Sequence, residues 1–113
     1  METSELTGAA LDWAVAKCEG YFDMGMASVH DGVADVFYFG EAWTPSTDWA
    51  QGGPIIEREG LTITHQQNQW AAQTDDDLFA FGPTPLIAAM RCYVASKLGD
   101  EVELPEELDH EDR

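Results

Sequence analysis

The clearest helix signal in this sequence is Thr84-Pro85-Leu86-Ile87-Ala88-Ala89-Met90-Arg91-Cys92-Tyr93-Val94-Ala95-Ser96-Lys97-Leu98-Gly99. Thr84 suits an N-cap, and a proline at the first helical position has no N–H of its own that would need a partner. A glycine such as Gly99 commonly ends a helix. The apolar side chains recur at helical spacing and cover most of the surface, so the pattern predicts a largely buried helix over residues 85–98.

A second helix is predicted over residues 8–18. The hydroxyl of Thr7 can accept from a free N–H of the first turn, and Leu6 and Leu11 fit a hydrophobic staple. Gly20 tolerates the left-handed conformation that ends helices. The expected buried stripe of this helix is Leu11, Ala14, Val15 and Cys18.

The chain between these helices has a β-like pattern interrupted by turns. Residues 35–39, 61–65 and 69–73 are predicted as strands, with residues 66–68 as a hairpin loop. Residues 45–49 are typical of a short capped helical turn and residues 51–54 of a tight turn, while residues 55–59 are ambiguous. The sequence therefore predicts an α+β fold in which two main helices pack on a small antiparallel sheet, followed by an acidic C-terminal tail.

Length and charge limit the organisation of the chain. The 113 residues suffice for one domain, predicted over residues 1–99. The net charge is −17, from 22 acidic and 5 basic side chains. Residues 100–113 hold eight acidic side chains and one basic, a net −7, which predicts a solvated tail and less readily a docking element.

The same charge narrows the classes of partner. An anionic membrane or a nucleic-acid backbone would repel this surface, so no direct nucleic-acid or membrane partner is expected. No apolar run is long enough for a membrane span, and the acidic N-terminus is unlike a secretory signal. The two cysteines, Cys18 and Cys92, are too few for a disulfide framework, and a reduced cytoplasmic chain is the simplest interpretation.

Candidate catalytic residues are isolated along the sequence. His30, His65 and His110 have no neighbouring histidine or cysteine pair, and the two cysteines lie in apolar helical patterns where a thiol is inert. Gly52-Gly53-Pro54 lacks the lysine and the spacing of a phosphate-binding loop. We therefore predict that the chain is not an enzyme and requires no cofactor or metal.

Five residues form the predicted partner-binding site: Asp48, Trp49, Asp75, Asp76 and Asp77. The run of three aspartates lacks the alternating spacing of a calcium loop, and it suits a loop cap before residues 78–81 or a contact with a partner. An exposed tryptophan beside acidic residues would mark an interface, because binding hot spots favour tryptophan.

Three stretches resemble the NinX-like family of phage and prophage proteins. They are residues 6–16 (LTGAALDWAVA), residues 46–57 (STDWAQGGPIIE), and residues 81–91 (FGPTPLIAAMR) followed by residues 99–102 (GDEV). Their order is kept, and the resemblance spans roughly residues 4–108. The family is uncharacterised and supplies no catalytic or binding residues. The resemblance implies a phage-encoded protein acting in a bacterial cytoplasm.

Three functions from different classes follow. The first, favoured narrowly, is an inhibitor that binds a host protein complex through negative surface charge, such as an anti-CRISPR or anti-nuclease counter-defence factor. The second is a non-enzymatic accessory protein of phage replication or recombination, in which aromatic and apolar surface matters more. The third is an enzyme or small-ligand protein that uses Asp75–Asp77 and His30. The expected partner is a host or phage protein with a basic surface, and the oligomeric state stays open.

Overall fold

The computed structural model describes residues 2–20, 27–30, 33–38 and 41–103. After a 3-10 turn at Thr3–Glu5, the three helices are α1 (Gly8–Glu19), α2 (Trp49–Glu59) and α3 (Pro85–Leu98). The six strands are β1 (Ala27–His30), β2 (Val33–Tyr38), β3 (Glu41–Ala42), β4 (Thr62–Gln66), β5 (Gln69–Gln73) and β6 (Phe79–Gly82). This combination of helices and strands confirms the predicted α+β class.

Helix α3 has the predicted bounds. The Ile87 N–H donates to the Thr84 hydroxyl at 3.1 Å, Pro85 occupies the first turn, and Gly99 ends the helix at φ 90°. Leu86, Met90 and Val94 are buried. Helices α1 and α2 and the β4–β6 sheet all contact α3, so it is the central element of the core.

Helix α1 also matches its prediction, except at its cap. It ends at Gly20 in the left-handed conformation at φ 80°, and Leu6 and Leu11 are fully buried. The Thr7 hydroxyl, however, accepts no hydrogen bond from the first turn, so the predicted side-chain cap is wrong. The reason is that Gly8, at φ 56°, turns the first helical residue away from the usual capping geometry.

Helix α2 corrects the interpretation of residues 45–59. Its first turn is capped by Asp48, whose Oδ1 accepts from the Ala50 N–H at 2.9 Å, and Gly60 ends it at φ 66°. The predicted tight turn at residues 51–54 is wrong, because these residues lie within the helix. The described chain thus has three helices rather than two. Burial of Ile55 and close packing at Gly52 outweigh the poor helix propensity of glycine and proline.

The β4–β5–β6 sheet is antiparallel throughout. Strands β4 and β5 form the predicted hairpin, turning through Gln67, at φ 44°, and Asn68. Strand β6 was not predicted as a strand. It packs closely on α3, because a Cβ added at Gly82 would lie 2.7 Å from the Ala88 backbone nitrogen.

A second antiparallel sheet has the order β1–β2–β3, and β2 contacts α1. The strand predicted over residues 35–39 falls on β2, apart from Phe39, which lies outside the described residues. Strands β1 and β3 have no separate signal in the sequence.

The start of the predicted acidic tail is tied to the N-terminus. The Thr3 N–H donates to the Asp100 carbonyl at 2.7 Å, and Glu2 and Glu101 form an antiparallel bridge. Val102 is buried in the core. Residues 104–113, including His110, lie outside the described residues. Residues 100–102, predicted as the start of the tail, therefore pack against the folded body.

Three charged or polar side chains connect the C-terminal ends of α1 and α2 to the side of α3. Arg58 donates two hydrogen bonds to the Glu19 carboxylate, at 2.6 and 3.1 Å, and one to the Tyr93 hydroxyl at 3.1 Å. Tyr93 in turn donates to Glu19. Burial disfavours the Glu19 carboxylate, but the hydrogen bonds from Arg58 and Tyr93 outweigh it and lower the Glu19 pKa. This cluster joins α1, α2 and α3.

Asp12 is a buried carboxylate in α1. The Ser46 N–H donates to its Oδ1 at 2.9 Å, which ties α1 to the segment before α2. Burial raises the pKa of Asp12 to about 6, against the opposing effect of the hydrogen bond from Ser46. The folded protein therefore binds a proton at Asp12 more tightly than the unfolded chain does.

Asp12→Asn is expected to remove a pH dependence of stability. Because the folded-state pKa lies above the unfolded value, stabilisation is present at low pH and is lost as pH rises through the interval between them. The wild type should lose about 2 kcal/mol relative to Asp12→Asn between pH 4 and pH 7. Urea unfolding of both proteins across this range measures the difference. Parallel pH profiles would contradict the buried carboxylate.

Candidate binding surface

Two phenylalanines on β6 are exposed on the sheet face opposite α3. Phe79 and Phe81 are 50 % and 43 % exposed, and their rings stack with centroids 6.5 Å apart and planes 9° apart. Side chains alternate along a strand, so both rings project from one face while Ala80 and Gly82 face α3. Exposed neighbouring aromatic rings are typical of binding surfaces.

The whole of this sheet face is uncharged. Because directly paired residues share a face, the strand register assigns eight side chains to it. We call this the outer face; its residues are Thr62, Thr64, Gln66, Gln69, Ala71, Gln73, Phe79 and Phe81. An uncharged face is notable on a chain of net charge −17.

Strand β6 is an edge strand, and the backbone N–H and carbonyl groups on its outer edge pair with no other strand among the described residues. The Thr74 N–H donates to the Leu78 carbonyl at 3.0 Å, so Leu78, Ala80 and Gly82 are the residues that pair with β5. The backbone groups of Phe79 and Phe81 therefore point away from β5. The Phe81 carbonyl agrees with this direction, because Arg91 Nη1 donates to it from α3 at 2.8 Å. Within the described residues, no strand pairs with this edge.

A groove of about 780 Å³ runs beside the edge. Strand β6 lines the groove, and so do three exposed acidic residues, Glu2, Asp100 and Glu101, which we call the acidic wall. Arg91 also lines the groove and donates through Nε to the Leu6 carbonyl at 2.8 Å. The groove lining thus combines strand backbone, aromatic side chains and anionic residues.

The acidic wall depends on contacts between distant parts of the chain. The Thr3 hydroxyl donates to the Gly99 carbonyl at 2.6 Å, and the Glu2–Glu101 bridge continues this pairing. Backbone contacts thus hold like-charged side chains near one another, where mutual repulsion would favour a cationic partner.

The predicted site residues Asp48 and Trp49 lie at the start of α2. Asp48 caps the helix, and Trp49 is 56 % exposed. Asp75 lies near the other end, since its Oδ2 is 4.0 Å from the position of a Cβ built on Gly60. An 11-residue helix is about 16 Å long, so the structure does not bring Asp48 and Trp49 together with Asp75.

The aspartate run forms the turn between β5 and β6. Asp75 and Asp76 are exposed, and Asp77 adopts a left-handed conformation at φ 66°. Gln73 Nε2 donates to Asp77 Oδ1 at 2.8 Å, which places this carboxylate at the border of the outer face, because Gln73 pairs with Phe79. Of the five predicted residues, Asp77 therefore borders the outer face directly.

The structure shows the environment of the cysteines and of two of the histidines that the sequence offers as nucleophiles or bases. Burial raises the pKa of Cys18 to about 12 and of Cys92 to about 11, so both stay protonated at neutral pH. The His65 ring packs against Trp70, with ring centroids 4.5 Å apart and planes tilted by 40°. His30 belongs to β1, where only the backbone is described. In the described ranges, no group of three or more histidine, cysteine or acidic residues could hold a metal ion.

The sequence interpretation missed Phe79, Phe81 and the acidic wall. The alternation of large and small residues in Phe79-Ala80-Phe81-Gly82 is the signal for a strand that packs its small residues on a helix. The acidic wall has no local signal, because Glu2 and Glu101 meet only through the folded chain.

Comparisons with known proteins agree with the resemblance in the sequence. Residues 2–97 match a protein family described as Bacteriophage P22, NinX. No curated protein matches the chain. Among the residues that the structure describes, no helix has the length and apolar composition of a membrane span. Since the match covers most of the 113 residues, the chain belongs to this NinX family of phage proteins.

Proposed function

We propose that this chain is a non-enzymatic phage accessory protein that binds a host or phage protein with a basic surface in the bacterial cytoplasm. The observation that carries the proposal is the uncharged outer face with its stacked pair, Phe79 and Phe81. Aromatic side chains that are half exposed in the free protein gain the most from burial against a partner.

Charge supports the choice of a basic partner. The net charge of −17 favours encounter with a cationic surface and disfavours anionic ones. The acidic wall and the Asp75–Asp77 turn lie near the outer face, so the apolar contact has anionic surroundings. This arrangement resembles the apolar centre and polar rim of protein interfaces.

Site-specific photocrosslinking in phage-infected host cells tests this proposal. A photoreactive phenylalanine analogue replaces Phe81 in one variant and Trp49 in a matched control, since both side chains are exposed aromatics. We expect a crosslinked protein partner from position 81 that is absent with the control. Crosslinks from position 49 alone would place the interface at the start of α2, and no crosslink from either position would overturn partner binding through these surfaces.

Inhibition of a host defence complex is the second candidate, and the charge of −17 favours it. An acidic protein can occupy the cationic nucleic-acid channel of a nuclease or a CRISPR-type complex and exclude the nucleic acid. In this version the affinity for the captured partner should fall more than about tenfold between 50 and 500 mM salt. The partner's DNA binding should fall in parallel. Salt-independent binding would overturn charge mimicry and leave the accessory role.

The contribution of the tail can be tested separately. Because Asp100–Glu103 contact the folded body, the deletion should begin at residue 104. Residues 104–113 carry five acidic and one basic side chain, a net −4, so the shortened chain retains −13. Binding through the folded body predicts an affinity within about twofold of the full chain at 150 mM salt. A larger loss would assign binding to the tail.

A further inference from the structure

We propose that the groove beside β6 binds an extended segment of the partner as an additional strand, with apolar and basic side chains alternating along it. This inference rests on the proposed function, because it names the part of the partner that the surface recognises. Three features carry it, namely the unpaired edge of β6, the stacked phenylalanines and the acidic wall.

The backbone provides the first argument. Phe79 and Phe81 direct their N–H and carbonyl groups away from β5, which is the arrangement that an added strand needs. Arg91 occupies one position on the Phe81 carbonyl, but a carbonyl oxygen can accept two hydrogen bonds. Exposed edges of this kind are where extended peptides add to sheets.

Side-chain alternation provides the second argument. An added strand would place every second side chain on the outer face, beside Phe79 and Phe81. Apolar side chains at these positions would be buried against the two rings. The intervening side chains would project toward the groove and the acidic wall of Glu2, Asp100 and Glu101. Lysine or arginine at those positions would pair with the carboxylates, so the structure selects an alternating apolar and basic segment.

Charge disfavours two other occupants of the groove, a second copy of the chain and a nucleic-acid strand. A second copy of the chain would bring two net charges of −17 together across this edge, and a nucleic-acid strand would place phosphates beside the acidic wall. A basic polypeptide is the occupant whose charge complements the groove.

The test uses a seven-residue peptide of alternating lysine and valine, acetylated and amidated, titrated into the full chain by NMR. We expect shifts of the Phe79 and Phe81 amides and of the Glu2 and Glu101 amides. A glutamate-for-lysine peptide should bind at least about tenfold more weakly. A peptide that binds without shifting the β6 amides would overturn the site.

Backbone methylation distinguishes strand addition from adhesion by charge. N-methyl groups on alternate peptide amides remove either the donors that face β6 or those that face solvent, and the two peptides are otherwise matched. The peptide methylated at the donors that face β6 should lose at least about tenfold in affinity. The peptide methylated at the solvent-facing donors should lose less than about twofold. Equal affinity of both series would overturn strand addition. If Phe81 still crosslinks to a partner in cells, the proposed function survives that failure.

Protein variants complete the test. The triple variant Glu2→Gln, Asp100→Asn, Glu101→Gln should weaken the lysine–valine peptide about tenfold at 50 mM salt and reduce its salt dependence. Phe79→Ser with Phe81→Ser should weaken it comparably without changing the salt dependence. Sedimentation velocity checks the alternative occupant, since a dimer that these serine substitutions dissociate would assign the edge to a second copy.

Discussion

Gly52→Ala is expected to lower the free energy of unfolding by about 3 kcal/mol, because this helix position leaves no room for a side chain. A Cβ there would lie 2.5 Å from the Pro45 carbonyl oxygen and 2.6 Å from Leu86 Cδ2. Leu86 can rotate, but the Pro45 carbonyl belongs to the backbone, so α2 must move away from the segment before it. Helix propensity, which favours alanine by about 1 kcal/mol, recovers only part of this cost.

Gly53→Ala is the matched control, one residue further along the same helix. A Cβ at Gly53 would meet only Trp49 Cε3, at 4.0 Å, which is an ordinary van der Waals contact. This variant should therefore gain up to about 1 kcal/mol. Urea denaturation of both variants measures the two changes. Equal effects of the two substitutions would contradict the close contact at Gly52.

The same glycine shows why α2 was harder to predict than α3. The ends of α3 depend on local chemistry, namely the Thr84 cap, Pro85 and Gly99, and all three act as predicted. Gly52-Gly53-Pro54 has the local preferences of a turn, yet contact with Pro45 and Leu86 requires a glycine inside a helix there. That requirement exists only in the folded chain, so local residue preferences predict a turn where the structure has a helix.

Local sequence signals point to only part of the candidate surface, because its other residues meet only in the folded chain. The Asp75–Asp77 turn was visible as a charge run, and Asp77 borders the outer face through Gln73. The sequence predicts Trp49 as an interface residue, but the length of α2 separates it from Asp75. Exposure of Phe79 and Phe81 follows from which face of β6 packs on α3, and composition alone does not determine that.

Arg91→Ala is expected to cost about 3 kcal/mol, more than removal of an ordinary surface arginine. The guanidinium donates through Nε to the Leu6 carbonyl and through Nη1 to the Phe81 carbonyl, each at 2.8 Å. It is half-buried, and burial lowers its pKa, although a guanidinium stays charged at neutral pH. Its loss leaves two carbonyls without these donors and removes a link between the N-terminal segment and β6.

Arg91→Lys separates charge from geometry. A lysine keeps the positive charge, but its single ammonium does not reproduce a planar group that reaches two carbonyls at once. We expect its stability to lie within about 1 kcal/mol of Arg91→Ala. Arg58→Lys is the control, because the Arg58 side chain is half exposed and its ion pair should contribute about 1 kcal/mol or less. Wild-type stability of Arg91→Lys would show that charge alone suffices.

Amide hydrogen exchange then identifies which part of the structure the Arg91→Lys substitution destabilises. If Arg91 holds the N-terminal segment against β6, Arg91→Lys should accelerate exchange of the Thr3 amide, which donates to the Asp100 carbonyl, before it affects the core of α3. The acidic wall depends on that same contact between the N-terminus and residues 100–101. Arg91 lines the groove and joins the N-terminal segment to β6. We therefore expect its lysine variant to bind the lysine–valine peptide more weakly even under conditions where the protein remains folded.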